Sequence, residues 1–240
     1  MTTQAEAFRV LRTNLEVALA EFERPTVLVT SANAEEGKTA ICAQLAEAFA
    51  TAGRRVVVVD MDTRHPDVHT WLGGENLRGV TDVLLDRAPL EDCLQYLALR
   101  TPSGERRGLY LLSAGTEVAN PTELLGGVRS ARMLDALSQQ ADLVLMDSPP
   151  VLPVADSMVM GRMAAGALLV VEARRTPINA TLAAKDALIR TQTRLLGVIV
   201  NKFQPRDAGF SYGYGYGYPA DGDSTRGNGS GPAARTADRG

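Results

Sequence analysis

The sequence predicts an α/β protein built on a doubly wound, mostly parallel sheet, with an amphipathic helix in front and a disordered tail behind. Three observations carry that prediction. Short runs that are apolar on both faces recur at 26–30, 55–59, 109–113, 143–146, 167–171 and 195–200, as strands do when helices cover both sides of a sheet. Helical stretches lie among them, notably 38–52, 129–140, 156–163 and 179–193, and this alternation of strand and helix calls for parallel crossovers. After residue 206 the pattern stops, and Gly, Ser, Asp, Arg and Pro leave little to bury. The expected organisation is one domain at 1–206 and a disordered tail at 207–240.

The elements follow in order. Phe8, Leu11, Leu15, Ala18, Leu19 and Phe22 recur at spacings of three and four, which predicts a helix over 3–22 with one face seeking a partner surface. The strands begin after Pro25. Residues 101–108, Thr-Pro-Ser-Gly-Glu-Arg-Arg-Gly, read as a flexible surface loop. Tyr96 and Tyr110 lie in apolar surroundings and are assigned to the core. No internal repeat is present that would suggest a solenoid.

Composition narrows the function classes. With 45% hydrophobic and 22% charged residues, the chain is an ordinary globular protein. A net charge of −3 offers no dominant basic surface, so a nucleic-acid partner is not expected. Cys42 and Cys93 both fall in apolar helical patterns and read as buried thiols in a reducing cytosol. His65 and His69 read as surface residues and form no metal-binding set with the cysteines. No apolar run approaches the roughly 18 to 20 residues of a membrane span, which points to a cytoplasmic protein unless something tethers it.

The chemistry concentrates at the ends of the strands. The first runs into Thr30-Ser-Ala-Asn-Ala-Glu-Glu-Gly-Lys-Thr39 and a helix follows. A small-residue loop between strand and helix that ends in Gly-Lys-Thr is the context of a phosphate-binding loop. Its backbone N–H groups would face phosphates, Lys38 would neutralise the β and γ oxygens, and the Thr39 hydroxyl would ligate Mg²⁺. The usual first glycine is Ala32. A second strand ends in Asp60-Met-Asp62-Thr-Arg64-His-Pro66 and a later one in Asp147-Ser-Pro-Pro150, so three acids gather at the carboxyl edge of the sheet, where such folds bind ligands. Each acid alone could cap a turn; together with the loop they provide what Mg-ATP requires.

These residues resemble the bacterial tyrosine kinases (BY-kinases) of capsule and exopolysaccharide synthesis, within the deviant Walker group of P-loop NTPases. The resemblance runs from about Glu6 to Lys202 and resumes at the tail tyrosines. Residues 30–39 are similar to the family's Walker A loop, 56–66 to its Walker A′ and 143–150 to its Walker B. Pro153-Val-Ala-Asp156, Asn120-Pro-x-Glu-Leu-Leu125 and Gly79-Val-Thr-Asp-Val-Leu84 are similar to family segments as well. The resemblance implies ATP and Mg²⁺ as cofactors, with nucleotide contacts from Glu36, Gly37, Lys38, Thr39, Ala40 and Asn201, the last on adenine. Metal-holding roles fall to Thr39, Asp62 and Asp147, and catalytic ones to Lys38, Asp60 and Asp62, with Asp60 named as the proton acceptor although Asp62 lies only two residues on. Glu6, Arg9 and Arg12 reproduce a Glu-x2-Arg-x2-Arg spacing implicated in ring-like self-association, though as residues they could be solvated charges. A membrane-spanning activator is the further expected partner, alongside other protein substrates.

Four of the six tyrosines stand in Tyr212-Gly-Tyr214-Gly-Tyr216-Gly-Tyr218, and under this resemblance they are the phosphate acceptors, presented to a neighbouring subunit. One departure stands out: the family usually has glycine where this chain has Glu35, a position that favours φ > 0 and close approach to phosphate. Two other readings stay open at this level: a partitioning-type ATPase switch, which leaves the tyrosines unexplained, and a weakly catalytic ATP-binding scaffold of the polysaccharide machinery.

Overall fold

A computed structural model describes residues 3–100 and 104–204; the tail from 205 onward, with the tyrosine cluster and the expected boundary near 206, lies outside the described residues. The chain runs α1 (Thr3–Ala18), β1 (Thr26–Ser31), α2 (Lys38–Thr51), β2 (Val56–Asp60), α3 (Val68–Leu72), α4 (Val80–Leu84), α5 (Leu90–Cys93), β3 (Leu94–Arg100) and β4 (Arg106–Leu112). It continues with α6 (Pro121–Leu125), α7 (Val128–Gln140), β5 (Leu143–Asp147), α8 (Asp156–Gly161), β6 (Gly166–Glu172), α9 (Ile178–Arg190) and β7 (Leu195–Asn201).

The strands form one sheet in the order β3-β4-β2-β5-β1-β6-β7. All neighbours are parallel except β3 and β4. The central strands β1, β2 and β5 are buried throughout, because successive side chains enter opposite layers. Val27 and Val29 join Val56, Val58 and Leu145 beneath α1 and α2. Leu28, Val57, Val59 and Met146 face the other way, into a layer with α7 and α9. Cys42 and Cys93 are buried free thiols in these separate layers, as expected of reduced cysteines.

The expected strands and helices are present with small shifts of boundary, and three expectations are corrected. Leu94–Arg100 is an edge strand, paired antiparallel with β4, and Arg106, Arg107 and Gly108 lie in β4 opposite Arg100, Leu99 and Ala98, so the polar 101–108 stretch is partly strand. Edge strands bury one side in part, so they lack the continuous apolar signature of the central ones. Tyr96 and Tyr110 are not core residues: they are 57% and 44% exposed and stack edge to face on the hairpin, with ring centroids 5.3 Å apart. The first helix ends at Ala18, and Leu19 and Phe22 complete its apolar face from a following turn.

The partner surface of α1 is α2 of the same chain. Leu15 and Leu19 are buried against it, and Arg12 Nη1 donates to the Ala48 carbonyl at 3.2 Å. Among the described residues no helix is long and apolar enough to cross a membrane.

Segments singled out in the sequence are fixed by polar contacts with residues distant in the chain. In α4, Asp82 accepts from the Gly79 N–H at 3.1 Å and from Thr116, while the Val80 N–H donates to the Ser113 carbonyl at 2.8 Å. Gly79 passes so near β4 that a Cβ would lie 1.9 Å from the Ser113 carbonyl oxygen. Arg64, Thr122 and Asp156 meet in a second lock: the Arg64 guanidinium donates to both oxygens of the fully buried Asp156, at 2.7 and 3.4 Å, and Thr122 donates to the same carboxylate. Nothing local in the sequence marks this trio, whose members lie 58 and 34 positions apart.

Because the obstacle at Gly79 is backbone, Gly79→Ala is expected to destabilise the protein by about 3 kcal/mol in equilibrium urea unfolding. A change near zero would show that the 79–84 turn can slide off β4.

Candidate nucleotide site

Strand order assembles the site. Neighbours β2, β5 and β1 bring Asp60 with Asp62, Asp147, and the 32–37 loop to adjacent positions at one carboxyl edge. Asp60 and Asp147 are register partners.

The loop turns into α2 through two left-handed residues, Glu35 at φ 65° and Gly37 at φ 89°. A Cβ on Gly37 would stand 2.3 Å from Asn201 Nδ2, so a larger residue would strain the backbone and push the Asn201 amide off the Glu36 carbonyl. Glu35 adopts the positive φ that its position foretold, at a cost on the order of 1 kcal/mol. Its carboxylate is 79% exposed and pairs with Arg175 at 3.4 Å, so the side chain is engaged at the rim. The first-turn N–H groups of α2, from Lys38 onward and including Ala40, have no intrahelical partners, an arrangement that suits an anion.

Lys38 is the electrostatic centre. Its Nζ lies 2.9 Å from Asp62 Oδ2 and 3.3 Å from Asp147 Oδ2, and it contacts Thr39 Oγ1 at 3.1 Å. Thr39 Oγ1 donates to Asp147 Oδ2 at 2.8 Å. Burial opposes the ammonium charge, but Asp147 and Asp62 overcome it and hold the lysine pKa above its ordinary value. Burial drives Asp147 up to about 6 in spite of Lys38 and the Thr39 hydroxyl.

Asp60 is wholly buried, and its two oxygens accept the N–H groups of Asp62 at 3.1 Å and Val68 at 3.3 Å. Burial, followed by repulsion from Asp147 and Asp62, pushes its carboxyl well above the usual range. Asp62 accepts the His65 N–H at 3.2 Å on Oδ1 and offers Oδ2 to Lys38. The first carboxylate therefore fastens the turn and the second faces the lysine.

The remaining expected residues divide. Glu36 directs its carboxylate inward, accepting from the Asn33 backbone and amide at 3.0 and 3.2 Å and from Thr176 Oγ1 at 2.6 Å. Asn201 donates to the Glu36 carbonyl at 2.9 Å and accepts the Lys202 N–H at 2.8 Å. It thus sits directly on the loop. Glu6 and Arg9 lie on the exposed side of α1, paired at 3.1 Å. Glu172, Arg175, Thr176 and Lys202 also surround the loop, from the end of β6, the β6–α9 turn and the residue after β7; as a Thr and scattered charges, they carry no motif in the sequence.

The donor set fits a hard divalent cation. Thr39, Asp62 and Asp147 supply oxygens, and Asp147 Oδ1 is buried without a hydrogen-bond partner among the described residues. No three carboxylate, imidazole or thiolate groups among the described residues form a metal cage by themselves. Magnesium held by few protein oxygens completes its shell with water and phosphate oxygens, so the site suits the metal of a bound nucleotide.

A phosphate loop at the switch of a parallel sheet, with its lysine clasped by strand-end aspartates, marks a P-loop nucleotide-binding protein, and the profile described as the CobQ/CobB/MinD/ParA nucleotide binding domain matches residues 27–212. Within that class the chain belongs to the bacterial tyrosine-protein kinase family. It is 36% identical over 201 residues to the tyrosine-protein kinase YwqD of Bacillus subtilis, covering 82% of this chain and 80% of that protein. The kinase domain of the Escherichia coli tyrosine kinase ETK is similar in structure, with a TM-score of 0.78 at 30% identity over 88% of this chain and 80% of that one. The tyrosine-protein kinase wzc of Salmonella typhimurium is 32% identical over 85% of this chain, but the match spans 28% of that longer protein.

Removing the ammonium would leave two buried carboxylates facing each other. Lys38→Met is therefore expected to cost about 3 kcal/mol of stability in the nucleotide-free protein, measured by urea unfolding. A loss below about 0.5 kcal/mol, the size of an ordinary surface change, would show that the lysine is not the counter-charge of this edge.

Proposed function

We propose that the chain is an ATP-dependent protein-tyrosine autokinase that phosphorylates Tyr212, Tyr214, Tyr216 and Tyr218 of a neighbouring copy and so regulates capsular or extracellular polysaccharide synthesis and export. The observation that carries the reading is the convergence of Lys38, Thr39, Asp62 and Asp147 within hydrogen-bonding distance at the mouth of a phosphate loop. Family membership supplies the reaction type.

Phosphoryl transfer is largely positioning and charge neutralisation. The first turn of α2 would seat the phosphates, and Lys38 would exchange its aspartate partners for phosphate oxygens. Thr39, Asp62 and Asp147 would hold Mg²⁺, which neutralises charge on the transferring group. The phenol proton goes to the Asp60/Asp62 strand end. Burial raises the Asp60 carboxyl, whereas Asp62 is the one that faces Lys38, so kcat of Asp60→Asn against Asp62→Asn assigns the base. Asn201, already seated on the loop, is the candidate adenine contact.

The tail suits its proposed role as substrate. Glycines between the tyrosines keep the backbone thin, and alternate residues in an extended chain project to one side about 7 Å apart. Glu6 and Arg9 lie paired on the exposed face of α1 and Arg12 donates to Ala48 of α2; the ring-like homo-oligomer would form along this helix. A membrane-spanning activator would bring the protein to the inner face of the plasma membrane. Other protein substrates and ATP and Mg²⁺ as cofactors complete the proposal.

Purified protein incubated with Mg-ATP and the cytoplasmic segment of the activator is expected to give a phosphotyrosine signal on immunoblots. That signal should vanish in Lys38→Met and in a variant with the four tail tyrosines changed to Phe. Hydrolysis without phosphotyrosine would favour an ATPase switch instead, and nucleotide binding with neither would favour a scaffold. Four phosphates add about −6 to −8 charges to the tail, so phosphorylated protein should elute as a smaller assembly than the Tyr-to-Phe variant in size-exclusion chromatography. Equal sizes would separate phosphorylation from assembly.

A further inference from the structure

The sheet edge that holds the phosphate loop extends past it to a cluster of charges on β6 and β7. Glu172 ends β6 and pairs in register with Asn201 of β7. Its Oε2 receives Lys202 Nζ at 2.9 Å and Arg175 Nη1 at 3.3 Å. Both cations also reach the residue with the disfavoured backbone. Lys202 Nζ donates to the Glu35 carbonyl at 2.9 Å, and Arg175 Nη2 lies 3.4 Å from the Glu35 carboxylate. Thr176 adds a parallel tie, accepting the Glu172 N–H at 2.8 Å and donating to Glu36 at 2.6 Å.

Isolated exposed ion pairs contribute little. This cluster differs in its hub: the Glu172 side chain is 15% exposed, against 46% for Lys202 and 60% for Arg175. One shielded carboxylate organises two cations, and those cations grip Glu35 by its main chain and its side chain together. The grip falls at the place where glycine would need none, since glycine enters the left-handed region without steric cost.

We propose that Glu172 is a positioning residue for the phosphate loop: through Lys202 and Arg175 it holds Glu35 in the left-handed turn that aims the loop at nucleotide phosphates. Glu172 touches no substrate in this scheme. It sets the fraction of molecules whose loop is ready to bind, and apparent affinity falls by that fraction. The proposal rests on the nucleotide-binding reading of the site.

The test compares wild type with Glu172→Gln, Lys202→Ala, Lys202→Arg, Glu35→Gly and the double variant Glu35→Gly/Glu172→Gln. Dissociation constants for a fluorescent ATP analogue are measured beside melting temperatures. Glu172→Gln and Lys202→Ala are expected to weaken binding about tenfold by depleting the competent loop, with melting temperatures near that of wild type. Lys202→Arg should restore most of the affinity. In the Glu35→Gly background, Glu172→Gln should have little further effect, because coupled residues lose their coupling when one is removed. Unchanged affinity in Glu172→Gln, or an undiminished loss in the double variant, overturns the proposal. Hydrogen exchange of the amides at 34–37 decides the same question without nucleotide: faster exchange in Glu172→Gln, abolished by Glu35→Gly, supports the clamp, and unchanged exchange refutes it. If wild type binds no ATP analogue, or binds it regardless of Lys38→Met, the nucleotide reading fails while the exchange result still judges the clamp.

Discussion

Three carboxylates cannot share a buried sheet edge without a counter-charge, and Lys38 supplies it. Asp60, Asp62 and Asp147 are each no more than 3% exposed. Their mutual repulsion and loss of hydration would favour protonation of the group or rearrangement of the edge. The ammonium, 12% exposed and bound to two of them, offsets both effects. The lysine of the Gly-Lys-Thr loop is therefore the residue that allows the aspartates to stand there. A nucleotide with its metal would bring new cation and new anion together, so charge balance can be kept as Lys38 changes partners.

Strand order makes this arrangement possible. Asp60 and Asp147 end adjacent strands, and the loop after β1 lies on the far side of Asp147. The same edge continues through Glu172 to Asn201 and Lys202, so the strand-end aspartates and the residues around the loop are successive positions along one line. Rigid strands set those positions, while the loop between them carries the two left-handed residues. Distant contacts close the periphery: the Arg64–Asp156–Thr122 lock fastens the segment after β2 to α6 and α8.

Much of this was legible in sequence for physical reasons. Central strands buried on both faces must be continuously apolar, and a phosphate loop must combine small residues with lysine and a hydroxyl. The edge strand Leu94–Arg100 escaped because only part of one side is covered, and its alternation was lost beside a short helix. Tyr96 and Tyr110 were misplaced because apolar neighbours in sequence lie on the opposite face of a strand, and these two rings point away from the layer their neighbours fill. Arg12 was legible as a charge on a helix but not as the donor to Ala48. The loop supports Arg175, Thr176 and Lys202 are residue types found on any surface, and nothing local marks them.

Local chemistry and periodicity determined the α/β class, the Gly-Lys-Thr loop, the strand-end aspartates and the strain at Glu35, because each is a property of residues near one another in the chain. Tertiary structure decided which aspartate faces Lys38, where the Glu35 carboxylate goes and what restrains its backbone. Those outcomes depend on β2, β5, β1, β6 and β7 lying side by side. Neighbours on that sheet edge are separated by 140 to 167 positions between Glu35 and its partners, a distance over which pattern and propensity carry no information.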